Sequence, residues 1–166
     1  GELTKQAEDL IPTSILSYPL QQKGERFPFI ANQAVGFDSR NGARAELFTA
    51  RMEGVSYIER LSYEMIERFG TEIKSIYTAG GASKSDVWLT IRANVLQKPI
   101  YKMKHMEGAV GSAIIAASKT YFEDIEQAGK QMLMLEKTVE PGNFTTKYEE
   151  NYHNFVEMLR SKGYLN

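Results

Sequence analysis

An α/β domain is the fold class this chain predicts, and three observations predict it. Two short strand candidates, Ile73–Ala79 and the one starting at Pro99-Ile100-Tyr101, each lead towards a helix, the first through Gly80-Gly81 and the second towards Gly108. A helix-length segment between them supplies the crossover that two parallel strands require. Finally, the 166 residues are 42% hydrophobic and 25% charged, which suits one domain with a sizeable core and not a disordered chain.

The elements follow in order. Leu3 to Leu10 reads as a short helix, ended by the turn-prone Pro12-Thr13-Ser14. Ile15 to Leu20 reads as a strand, and Gln21-Gln22-Lys23-Gly24 as the polar turn after it. Pro28 biases Phe27 away from helix, so Gly24–Phe29 is expected as an ordered loop that Ala31–Arg40 continues. Leu47, Val55, Ile58, Leu61, Met65 and Phe69 then recur at helical spacing and predict a helix of roughly seven turns between Asn41 and Phe69. Asn41 is its expected cap and Gly70 its stop. Arg51 shares the register of that stripe, so its stem is expected to be buried with the guanidinium reaching a carboxylate. Gly54 gives up about 1 kcal/mol of helix propensity relative to alanine; it reads equally as a close backbone approach or as a surface residue.

Ser83 with Asp86 resembles a capping box, which starts a helix over Asp86–Leu96 with Val87, Ile91 and Val95 as anchors. Gly108 opens a small-residue helix running to Tyr121, whose alanines are expected to pack closely on a sheet or another helix. Ile125–Leu135 reads as one more helix and Pro141-Gly142 as a turn. Thr146 and Glu149 read as the capping box of the last helix, with Tyr148, Tyr152, Phe155 and Leu159 on one face.

Composition also excludes function classes. Twenty basic against twenty-one acidic residues give a net charge of -1, without the basic footprint of a nucleic-acid binder. No apolar run is long enough for a membrane span, and no secretory pattern opens the chain. With zero cysteines there are no disulfides, thiolate nucleophiles or cysteine metal sites, which agrees with a reducing compartment. Two histidines, His105 and His153, are too few for a three-histidine or HExxH site.

The most informative local feature is Ala79-Gly80-Gly81-Ala82-Ser83 between strand and helix. Glycines allow close approach of a ligand, and a helix start offers unpaired N–H groups, so the turn suits a nucleotide; a purely structural turn is the other reading. It is neither a Walker A loop nor GxGxxG. Glu25 and Arg26, beside Phe27 and Phe29, read as a salt bridge closing their loop or as a cleft wall. Arg44, Arg51 and Glu53 read as structural pairing before phosphate contact. Asp38 and Asp86 suit a metal-bound phosphate, although loop geometry and capping explain them too. His105 and His153 read as surface residues, and Trp88 as a packed side chain whose indole N–H needs a partner if buried. No catalytic residue and no metal ligand is assigned.

Several segments together resemble the C-terminal domain of the FGGY family of carbohydrate kinases. They are Tyr18-Pro19-Leu20 with Gly24-Glu25-Arg26-Phe27-Pro28; Arg51-Met52-Glu53-Gly54-Val55; Thr78-Ala79-Gly80-Gly81-Ala82-Ser83-Lys84-Ser85-Asp86-Val87-Trp88; Arg92 through Ile100; and Glu107-Gly108-Ala109-Val110-Gly111-Ser112-Ala113. They cover roughly residues 1 to 130. Met52, Asn94, Gln97 and Ser112 depart from the family's usual alanine, aspartate, glycine and alanine.

The resemblance implies an actin-like ATPase, ribonuclease H-like fold, with residues 1–166 as part of the nucleotide-side domain of a two-domain sugar kinase. It implies a parent enzyme, xylulokinase-like or gluconokinase-like, that moves the terminal phosphoryl group of Mg–ATP to a sugar hydroxyl. Gly80, Gly81 and Ala82 match the family's adenine-side nucleotide turn, Ser85 stands where some relatives carry a polar residue contacting the base, and Glu25 and Arg26 support the cleft. The sugar or sugar acid, the catalytic aspartate and an early phosphate loop belong to an N-terminal domain outside this chain. Gly1 is then expected to be a truncation point, and the isolated piece to lack kinase activity. ATP and Mg2+ are the expected cofactors and the cytoplasm the expected location; neither nucleic acid nor membrane is a partner, and a homodimer is compatible with the reading. The alternatives are a non-catalytic ligand-binding or regulatory module on the same scaffold, and a purely structural interaction domain.

Overall fold

A computed structural model describes residues 1–105 and 108–165. Its elements run α1 (Glu2–Glu8), β1 (Ser17–Tyr18), β2 (Phe37–Asp38), α2 (Arg44–Glu67), β3 (Ile76–Thr78), a 3₁₀ turn over Gly81–Lys84, α3 (Asp86–Leu96), β4 (Ile100–Met103), α4 (Gly108–Ala117), α5 (Ile125–Met132), β5 (Leu135–Val139) and α6 (Thr145–Ser161). β1 and β2 pair antiparallel, with Ser17 opposite Asp38. The second sheet has the order β3-β4-β5: β3 and β4 are parallel, with Ile76 opposite Ile100, and β5 returns antiparallel along β4. The mixed helix-and-sheet architecture and the parallel pair joined by α3 agree with the α/β expectation.

Helix α3 divides two apolar clusters. Val87, Ile91 and Val95 lie one turn apart and enter the larger cluster, with Tyr18 of β1, Tyr57 and Leu61 of α2 and the face of α6. Leu89, Ala93 and Leu96 enter the smaller one, with Ile76 of β3 and Ile100 of β4. Burial of each such large side chain stabilises by about 1.5–3 kcal/mol, so a helix buried on two sides is a rigid support for the strands beside it. The expected α6 face is buried throughout: Tyr148, Tyr152, Phe155 and Leu159 all meet the larger cluster, and the Phe155 ring lies 5.2 Å from that of Tyr57.

The structure corrects several local expectations. Helix α2 starts at Arg44, after Ala43 and not Asn41, where the Glu46 carboxylate accepts from the Ala43 N–H at 2.8 Å. Its buried face is Ala50, Glu53, Tyr57 and Leu61; the expected stripe holds at Leu61, and Ile58 packs against the same cluster, but Val55 and Phe69 are exposed. Gly54 is a close approach: a Cβ there would stand 2.0 Å from the Ser17 carbonyl oxygen. That contact turns the Glu53–Tyr57 side of α2 inward. The loop expected over Ala31–Arg40 contains β2, and Leu135, expected at a helix end, begins β5. Helix α6 begins at Thr145 without a side-chain cap, and Glu149 is spent on Arg60 and Gln97.

Helix α4 meets the expectation only in having another helix as neighbour, and it ends at Ala117, short of Tyr121. None of its residues is buried, Ile115 is exposed, and α5 is its main neighbour, so the alanines are not packed against a sheet among the described residues. Glu107, in the same motif, lies outside the described residues. Among the described residues no helix is long and apolar enough to cross a membrane.

Candidate functional site

The turn after β3 lies open. Gly80 adopts φ +80°, a backbone region that strains residues with a Cβ, so glycine is needed there for conformation alone. Gly81 has no such requirement. No positive φ is recorded for it, and a Cβ built on it would meet nothing within 4 Å. Both glycines are exposed and line a pocket of about 330 Å³ with Ser83, Lys84, Lys102, Lys104 and Glu136. The pocket sits where the parallel strands β3 and β4 end, and crevices beyond strand carboxyl ends are where open α/β sheets take ligands.

Local hydrogen bonds fix this turn. Ser83 Oγ donates to the Gly80 carbonyl at 2.7 Å, closing the first corner. The expected Ser83–Asp86 capping box is not formed, because the 3₁₀ turn moves the start of α3 along the chain. Ser85 is the cap instead, its Oγ accepting from the Trp88 N–H at 3.4 Å. Asp86 faces Lys137 of β5 at 2.7 Å, and that ammonium holds its carboxyl below the usual aspartate range. The free helix N-terminus expected behind the glycines is therefore already capped. Ala82 is half-buried, and neither it nor Ser85 lines the pocket.

Behind the pocket, Arg92 of α3 pins the end of β3. Its Nη1 donates to Thr78 Oγ1 at 2.6 Å, while Nε and Nη2 clasp Glu59 of α2 at 2.8 and 2.6 Å. A planar guanidinium with three fixed donors ties α2, α3 and the last residue of β3 together.

Glu25 and Arg26 lie apart from this pocket and line no part of it. They form no ion pair with each other among the described residues, which corrects the expected salt bridge. Glu25 instead accepts from Tyr18 Oη at 2.6 Å and from the Arg26 N–H at 2.9 Å, and its backbone pairs with Ala31. Burial, then the Glu25 carboxylate, hold the Tyr18 hydroxyl well above the usual tyrosine range. A neutral hydroxyl thus latches the loop, and Arg26 is left to solvent.

Arg51 is exposed and not buried, but it does reach a carboxylate, Asp38 at 3.1 Å, which also accepts from Ser17 Oγ. His105 is exposed, and His153 Nε2 lies 3.0 Å from Glu149. Trp88 Nε1 is buried without a hydrogen-bond partner among the described residues. No three acidic or histidine side chains gather to hold a metal ion among those residues. The sequence reading missed Lys102, Lys104 and Glu136. Parallel pairing, with Thr78 opposite Lys102, brings the two lysines to the glycines across more than twenty residues of chain, and the antiparallel return of β5 adds Glu136. The visible signal was the Lys102, Lys104 alternation at the end of a strand candidate.

Comparison with known proteins agrees with this architecture. The model of the C-terminal domain of the FGGY family of carbohydrate kinases matches residues 1–120. The xylulose kinase of Staphylococcus epidermidis is 30% identical over 142 residues, covering 82% of this chain but 28% of that protein. The chain thus spans less than a third of the length of that relative. The crystal structure of gluconate kinase from Lactobacillus acidophilus superposes with a TM-score of 0.81 at 20% identity, over 96% of this chain and 34% of that one. That of Plasmodium falciparum glycerol kinase with ADP gives 0.78 at 13%, over 95% and 33%. The fold is the C-terminal part of the actin-like ATPase architecture, and the chain belongs to the FGGY family of carbohydrate kinases.

Proposed function

We propose that this chain forms the nucleotide side of an enzyme that transfers the terminal phosphoryl group of Mg–ATP to a hydroxyl of a sugar or sugar acid. The observation that carries the reading is Gly81. Neither backbone conformation nor neighbouring atoms require glycine at this exposed position, so the missing side chain is available to a ligand. Gly80, Gly81 and Ala82 let the nucleotide approach the backbone. The Ser85 hydroxyl, which accepts from Trp88, keeps its proton to donate to the base. Similarity to a xylulose kinase and a gluconate kinase supports a sugar or sugar acid as the substrate class.

When bound, ATP would supply the phosphoryl group, with Mg2+ accompanying it. The residues of this chain bind and orient. Arg92 holds the β3 end in place behind the turn, and the Tyr18–Glu25 latch, with Arg26 beside it, shapes the loop that supports the cleft. The general base and the sugar pocket belong to a further domain, as aligned phosphoryl transfer needs an acceptor this chain does not hold. The cytoplasm, where ATP is supplied, is the setting. Gly81→Leu tests the reading, because a Cβ at this position meets no protein atom within 4 Å. It is expected to lower ATP affinity at least about tenfold by calorimetric titration, with an unchanged thermal midpoint. A folded variant that keeps its ATP affinity would refute it.

A further inference from the structure

We infer that the bare side of α4 is an interaction surface for the rest of the parent chain, an apolar and uncharged contact made by the polypeptide that precedes residue 1. The helix Gly108–Ala117 carries no charged residue, whereas the chain as a whole is 25% charged. None of its residues is buried. Val110, Ile114 and Ala117 are half-buried on one side of the helix, and α5 is its main neighbour. Ala109, Ser112, Ala113 and Ala116, spaced three and four residues apart, share another side and are exposed, and Ile115 next to them is 64% exposed. Ser112 turns its hydroxyl back to the Gly108 carbonyl at 3.3 Å, so the polar side chain on this side is satisfied by its own helix.

Gly111 is an independent observation. A glycine inside a helix costs propensity. In α2 that cost has a visible reason, because a Cβ on Gly54 would meet the Ser17 carbonyl. A Cβ on Gly111 would meet nothing within 4 Å, and no positive φ is recorded there. No described residue requires glycine at this position; a segment lying close against the helix backbone does. A helix without charge on any side is built to be covered and not to face water.

The lengths of the relatives name the occupant. Helix α4 lies within the residues matched by the family's C-terminal domain, 1–120. This chain spans 28% of its xylulose kinase relative and 34% of the gluconate kinase chain. In a parent of that size the greater length precedes the C-terminal domain, and its covalent connection gives it a high effective concentration at α4. The inference rests on the reading of this chain as part of a longer kinase and is independent of the diglycine turn.

The test is thiol labelling with a maleimide, read by mass spectrometry, in this chain and in the full-length parent. This chain has no cysteine, so Ala113→Cys introduces a single thiol, and Glu123→Cys, on the exposed loop after α4, is the reference. In this chain the two thiols are expected to react at similar rates. In the folded parent the thiol at position 113 is expected to react at least about tenfold more slowly than in this chain, because labelling then waits on local opening. Gly111→Leu is expected to leave the thermal midpoint of this chain unchanged or raised, through helix propensity, and to lower that of the parent. Labelling at position 113 as fast in an active parent as in this chain would overturn the inference and leave the kinase reading standing. Slow labelling already in this chain would overturn it too. If that protection faded on dilution, a second copy would be the occupant; if it did not, α4 would lie on the chain's own strands. A parent that tolerates Gly111→Leu without loss of stability would remove the close backbone approach and overturn the inference as well.

Discussion

A Cβ on Gly54 would stand 2.0 Å from the carbonyl oxygen of Ser17, so α2 and β1 touch backbone to backbone. The obstructing atom is main chain and cannot swing aside. Gly54→Ala would gain a little helix propensity, up to about 1 kcal/mol, and lose more than that to the clash. A net destabilisation of about 2 kcal/mol is expected from urea unfolding. A stabilised variant would mean that β1 can move off α2 without cost.

Glu53 next to that glycine is buried, and among the described residues no cation pairs with it. Its Oε1 accepts from the Thr13 N–H at 2.9 Å and from Tyr148 Oη at 2.8 Å. Thr13 Oγ1 lies 2.5 Å from Oε2 and 3.1 Å from the Ile15 carbonyl, but a hydroxyl carries one proton. A protonated Glu53 satisfies every group: Oε2–H donates to Thr13 Oγ1, which donates to Ile15. Burial pushes the Glu53 carboxyl upward in agreement. With a folded value above the unfolded one, its contribution is full below the ordinary carboxyl range and is lost as pH rises through the folded value. Glu53→Gln reproduces the neutral donor–acceptor pair and is expected to stay within about 1 kcal/mol of the parent while removing that decline. Glu53→Ala strands the buried donors and is expected to cost about 3 kcal/mol. Denaturant unfolding across pH separates the two; a glutamine variant as damaged as the alanine one would contradict a neutral Glu53.

These two residues show where the sequence was legible. The bounds of α3, the face of α6 and the parallel crossover all follow from periodicity and chain order, which are local properties. The inward face of α2 does not. Glu53 is inside because Thr13 and Tyr148, distant in sequence, converge on it, and hydropathy assigns a carboxylate to the surface. β5 escaped for the opposite reason: Glu136 and Lys137 in a largely exposed strand give no apolar alternation. At the site, the glycines and Lys84 were visible in one motif, whereas Lys102 and Lys104 arrive only through strand pairing.

The Arg92 clasp predicts a loosening confined to the site. Arg92→Ala leaves Glu59, itself largely buried, without its cation, and frees Thr78 at the end of β3. A loss of about 2–3 kcal/mol is expected, below the cost of breaking a fully buried pair because some solvent reaches both groups. Hydrogen exchange should quicken most at Ile76–Thr78, beside the glycine turn. Uniform acceleration over the whole chain would show that Arg92 supports global packing and not this strand end.

Arg60 sets the acid limit of stability. It joins α2 to α6 by two hydrogen bonds to Glu149, at 2.7 and 3.0 Å, and lies 4.0 Å over the Tyr152 ring, whose hydroxyl donates to Glu64. The guanidinium holds the Glu149 carboxyl below the usual glutamate range. A depressed folded value means the pair contributes fully above the ordinary carboxyl range and is lost as pH falls through the folded value, the reverse of Glu53. Glu149→Gln keeps the size of the side chain and is expected to cost about 1 kcal/mol near neutral pH, in line with a pair that is partly solvated. As pH falls below the ordinary carboxyl range the gap between variant and parent should narrow, because the parent's carboxyl loses its charge as pH passes down through its folded value. Thermal midpoints of the two proteins measured across that range decide it. A gap between them that stays constant with pH would mean that α6 is held by the Tyr152 and Phe155 packing alone.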